Sequence, residues 1–148
     1  MRPEHLANPD ALASFLTGFE RGTLPKPEWT HGAHIAVAAS YLFSSTAESV
    51  LPAVRERITS YNTAVGTANT DTSGYHETLT RFWLCIVEEL LRQREPGSRL
   101  DAARIAVAIF GQARTLHTLY YSGDVVRDSV ARREWRAPDL LPLPCSLP

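Results

Sequence analysis

Apolar residues recur every three or four positions along most of the chain, the spacing of one helix face. Leu12, Phe15, Leu16 and Phe19 form the first such stripe; Asn8-Pro9 opens it as a cap followed by a first-turn proline, and Gly22 closes it. The stretch TLPKPEW at 23–29 carries two prolines and reads as extended. Thr30 then caps a second helix with His34, Ile35, Ala38, Tyr41 and Leu42 on its apolar face. Ser45-x-x-Glu48 reads as a capping box opening a third helix to about Val65, with Pro52 tolerated only in its first turn. A polar loop, GTANTDTSG, follows at 66–74. Ser73 or Asp71 would cap a fourth helix that buries Leu79, Phe82, Trp83, Ile86 and Leu90 and is broken by Glu95-Pro96-Gly97. A fifth helix is expected from 99 to about 122 and a short sixth over 129–134.

No window alternates as a strand would, so the expected fold is all-α: a compact bundle of five to six helices in one domain over 1–148. The closing RAPDLLPLPCSLP is too proline-rich for a helix or a central strand. This tail, 137–148, is expected to be extended and docked on the bundle. Leu140, Leu141 and Leu143 would lie in a groove between helices, since a free run would expose much apolar surface.

Composition narrows the partners. A net charge of −1 argues against nucleic acid, because phosphate binding needs a surplus of Lys and Arg on one face. No apolar run approaches a membrane span, and the N-terminus has no apolar core of signal-peptide length. Two cysteines make no disulfide framework, and Cys85 reads as a small core residue. The expected setting is therefore cytoplasmic, with a small molecule as partner.

Histidine placement carries the chemistry. His31 and His34 sit three apart in the first turn of the second helix, where two imidazoles can converge on one ion. A cation there would oppose the helix dipole, which favours neutral rings. The plainer alternative has His34 packed on the apolar face and His31 solvated. Residues 74–80, GYHETLT, begin as a His-Glu-x-x-His zinc motif does but put Thr80 where the second histidine belongs. His76 shares a face with Thr80, Trp83 and Val87, where a satisfied core histidine is also a reasonable reading. Glu77, about 100° further round the helix, suits a base or an orienting group, or simply an acid at a helix start. His5 lies in a polar N-terminal segment expected to be mobile, and His117, one turn before Tyr120 and Tyr121, reads as structural, with a fourth ligand or an acid-base residue as the alternative. No GxSxG, Walker, GxGxxG or CxxC pattern is present.

EWTHGAH, NTDTSGYHETLTRFW, LYYS and ARREWRAPDLLPLP, in this order from about 29 to 144, resemble a family of small bacterial conserved hypothetical proteins. The resemblance brings no activity. It implies that His31, His34, Tyr75, His76, Glu77, Thr78 and Thr80 are motif positions, with Tyr121, Ser122, Arg132, Pro138 and Asp139. His117 falls outside the motifs.

Three readings follow. In the first, His31, His34 and His76 hold one divalent ion, Zn, Fe, Ni or Cu, with open positions for water or substrate. Glu77 is then base or orienter at the rim, Tyr75 packs or donates a hydrogen bond opposite, and Arg132 clamps an anionic substrate group. The chain would be a metal-dependent hydrolase, isomerase or oxygenase. In the second, the same residues line the pocket of a non-catalytic small-ligand-binding module. In the third, the histidines only tie helices together. The first two share one geometric expectation: the second and fourth helices run alike, and His76 faces His31 and His34 across one pocket.

Overall fold

The computed structural model describes residues 1–145; the last three residues of the proline-rich tail lie outside the described residues. Six α-helices and three short 3-10 turns make up the described fold, with no strand among them. The helices are α1 (Pro9–Glu20), α2 (His31–Leu42), α3 (Ala47–Ala64), α4 (Glu77–Arg94), α5 (Arg99–Phe110) and α6 (Ser129–Arg133). The bundle is all-α, as the periodicity predicts. Among the described residues no helix is long and apolar enough to cross a membrane.

α2 is the central element. Nearly all of it is buried, and its alanine-rich surface packs mainly on α5, which buries Ala102, Ala103 and Ala106, and then on α4. Small residues let the backbones of such helices approach closely. α3 returns between α2 and α4. One cavity is lined by the starts of α2 and α4, and another by the C-terminal end of α2 and the later turns of α4. The two helices therefore run in the same direction.

Several local expectations are corrected. The capping box of α3 is Thr46 with Ser49, one residue later than Ser45 and Glu48, and Pro52 sits in the second turn on an exposed face. α5 stops at Phe110 rather than continuing to about 122; a 3-10 turn, Leu116–Leu119, follows after a bend. Gly111 ends it, where a Cβ would lie 2.5 Å from the Val107 carbonyl oxygen. α4 is capped by His76 itself, not by Ser73 or Asp71. The N-terminal segment is held down: His5 Nε2 is 2.7 Å from Glu28 Oε2, and its ring packs on Phe15.

The cysteines are corrected as well: Cys85 and Cys145 are joined in a disulfide across 60 residues. The tail is fixed elsewhere by backbone hydrogen bonds from Asp139 and Leu140 to the Tyr120 carbonyl. Leu143 packs on the cluster around Phe82, but Leu140 and Leu141 are about half exposed, at 53% and 48%, and occupy no groove.

Candidate ligand pocket

A cavity of about 670 Å³ opens where the start of α2, the start of α4, the middle of α3 and the segment after α5 meet. That is within the ordinary range for a small-molecule site. Trp29, Val37, Ile58, Leu79 and Trp83 supply apolar wall; His31, His34, His76 and His117 all line it. The shared pocket expected for the first three histidines is present.

Their ring nitrogens differ in what they still offer. Thr30 caps α2 with its hydroxyl on Ala33 N, and its carbonyl oxygen accepts from His34 Nδ1 at 2.8 Å. This fixes the neutral His34 tautomer with the proton on Nδ1 and leaves Nε2 as an acceptor. The His34 ring packs on Trp29 with centroids 3.9 Å apart. His31 donates from Nε2 to the Phe110 carbonyl at 3.0 Å, leaving Nδ1 as its acceptor, and meets Trp83 edge-on. Neither free nitrogen has a protein partner among the described residues. His76 is fully committed: Nδ1 accepts from Leu79 N at 3.2 Å as the helix cap, and Nε2 donates to the Val125 carbonyl at 2.9 Å.

Burial drives all three histidines toward the neutral form, His34 furthest, to about 4. In the unfolded chain each takes up a proton near its ordinary value of 6.5, while the folded chain does not. His34 is therefore expected to cost stability as pH drops below 6.5 toward 4, by up to about 1.4 kcal/mol per pH unit, and His31 and His76 act in the same direction. Denaturant titrations at pH 7.5, 6.5 and 5.5 check this. Equal stability at all three would contradict the neutral assignment.

Glu77, Tyr75 and Arg132 are placed at joints around the cavity. Arg55 of α3 donates to both Glu77 carboxylate oxygens, at 3.0 and 2.6 Å; Arg81 lies 2.9 Å away and the Tyr75 hydroxyl donates at 2.7 Å. Burial alone pushes the Glu77 carboxyl up, but these hydrogen bonds and the two guanidinium charges outweigh it and hold it below the usual carboxylate value. Burial and the adjacent carboxylate push the Tyr75 phenol well above its ordinary value. Arg132 spends its guanidinium on the carbonyls of Gly74, at 3.0 Å, and Val126, at 3.2 Å. The buried Thr78 hydroxyl donates to the Glu134 carbonyl and accepts from Arg136 N. Tyr121 donates to the Arg136 carbonyl, and Ser122 is bonded to Asp139. Thr78 and Arg132 thus fasten the C-terminal segment to α4 and the loop before it, and Tyr121 and Ser122 fasten it to the stretch after α5.

Three rings lining the cavity keep a free nitrogen, His31 Nδ1, His34 Nε2 and His117 Nε2, the number of protein ligands a catalytic zinc site takes. Among the described residues no three His, Cys, Asp or Glu side chains are grouped to share an ion. The apolar wall from α3 and the contribution of Arg114 were not singled out from the sequence as pocket residues, whereas His117, read there mainly as structural, lines the cavity. The amphipathic stripe of α3 was the signal available for Val54 and Ile58; nothing local marks Arg114. No protein-family model, curated protein or solved structure matches the chain.

Proposed function

We propose that the chain is a non-catalytic helical module that binds a small, largely apolar molecule carrying a hydroxyl or amide N–H. The observation that carries this reading is the pair of unpartnered acceptors, His31 Nδ1 and His34 Nε2, beside the indole rings of Trp29 and Trp83 and the aliphatic side chains of Val37, Ile58 and Leu79. Neither nitrogen is sealed from water in the open cavity. A ligand that displaces that water without donating leaves the acceptor unpaired, so a ligand that donates gains more than one that only fills space. The groups that catalysis would need are otherwise engaged: Glu77 by two arginines and a phenol, Tyr75 by Glu77, and Arg132 by backbone carbonyls. The Cys85–Cys145 bond favours an oxidising surrounding over the cytoplasm expected from the sequence.

Titration of 2-naphthol and 2-methoxynaphthalene, read by fluorescence, tests the proposal. We expect 2-naphthol to bind at least about tenfold tighter, the effect of one buried hydrogen bond of roughly 1.4 kcal/mol. Ala38→Trp, which fills the cavity from α2, should abolish both. Equal affinities would remove the acceptor argument. The second reading, an ion held by His31 and His34 with His76 as third ligand, keeps one observation in its favour: all three rings line the same cavity. His76 would then give up its cap on Leu79. Purified protein carrying near-stoichiometric Zn, Fe, Ni or Cu, lost in His31→Ala, would replace the first reading with this one.

A further inference from the structure

The cavity wall is one-sided in charge. Lys26, Arg114 and four histidines line it, and among the described residues no Asp or Glu does, although the chain holds 16 acidic residues against 15 Lys and Arg. The acids nearest the site are turned elsewhere: Glu77 to Arg55 and Arg81, Glu28 to Arg2 and His5, Asp128 to Arg136. Arg114 is the contrast. It is exposed, and its guanidinium makes no hydrogen bond or ion pair among the described residues. Its charge acts on His31, which places it at the corner where α5 ends against α2. His117 sits at the same corner, its Nδ1 3.1 Å from the Arg114 carbonyl oxygen, so that its Nε2 is left for another partner.

We infer that the ligand is an amphiphilic organic acid that also bears the hydroxyl or amide N–H: Arg114 takes its carboxylate at the cavity corner, and the apolar body lies against Trp29, Trp83 and Ile58. This rests on the pocket reading above and adds the charge of the ligand to it. A guanidinium offers parallel N–H donors that match a carboxylate, and an unpaired one at the cavity edge is free to use them. The Arg114 guanidinium supplies one positive charge at that corner, which matches a single carboxylate. A cationic amphiphile of the same length would meet Arg114 and Lys26 as like charges.

Calorimetric titration of the full chain at pH 7.5 with octanoate, 1-octanol and octylammonium separates the ideas. We expect octanoate to bind tightest and octylammonium weakest. Arg114→Gln should weaken octanoate about tenfold and leave 1-octanol unchanged; the side chain is exposed and without partners, so the fold is not at stake. Octanoate and 1-octanol binding equally, or Arg114→Gln weakening both alike, would overturn the anion and leave the pocket standing. No binding of any of the three would overturn the pocket reading and the inference together.

Discussion

Glu77→Ala is expected to cost about 3–5 kcal/mol of folding stability, the range for removing one partner of a buried ion pair. Glu77 is only 6% exposed, and three side chains converge on its carboxylate from two helices and the preceding loop. Without it, Arg81 loses the carboxylate 2.9 Å from its largely buried charge, and the Tyr75 hydroxyl loses its acceptor. Arg55 is less affected, since 43% of its side chain is exposed and water can replace the carboxylate. Glu77→Gln retains an acceptor for Tyr75 but loses the charge, and should fall between the wild type and Glu77→Ala. The pH dependence has the same origin. Because its folded-state pKa is depressed, the stabilisation by Glu77 is present above the ordinary carboxylate value and lost as pH falls through the folded one. Urea denaturation of the three proteins at pH 7.5 measures the effect. A loss below about 1 kcal/mol in Glu77→Ala, the range of exposed ion pairs, would mean the carboxylate is not a structural joint, and would return it to consideration as a base.

How far the sequence foretold this joint depends on distance along the chain. Arg81 is four residues from Glu77 on one helix, a pairing the helical repeat makes readable. Arg55 comes from a different helix 22 residues away, and nothing local connects the two. The same divide holds for the fold. Asn8 and Thr30 were legible as caps because a short polar side chain before an apolar stripe has one common use. His76 was not, because histidine seldom caps and better capping residues stand just upstream; only the packing that holds its ring between Leu79 N and the Val125 carbonyl selects it. The end of α5 was misread because Leu116, Leu119 and Tyr120 continue an apolar spacing beyond it, and Gly111 alone marks the break. For the pocket, the motifs grouped three histidines that all line one cavity and left out His117, which lines it too. The sequence could not show which ring nitrogens remain free, since their partners are carbonyls at positions 30, 110 and 125.

Opening the Cys85–Cys145 bond is the other large effect expected. The bond closes a loop of 60 residues, and a cross-link of that span restricts the unfolded chain enough to contribute roughly 4 kcal/mol in the loop-entropy account. Cys85 is fully buried on α4, so the bond also seats the end of the tail against the bundle. The tail is otherwise held further back, by Ser122 on Asp139, by the Tyr120 carbonyl and by Tyr121 on the Arg136 carbonyl. Beyond Leu140 the described tail depends on the disulfide and on Leu143 against the Phe82 cluster. Cys145→Ala should therefore lower the unfolding midpoint of the oxidised protein and expose cleavage sites after Leu140, while the segment before it stays protected. Dithiothreitol should bring the wild type to the level of the variant and leave the variant unchanged. If the wild type is as stable with the reductant as without it, the two sulfurs are not joined in solution, and the argument for an oxidising compartment falls with the bond.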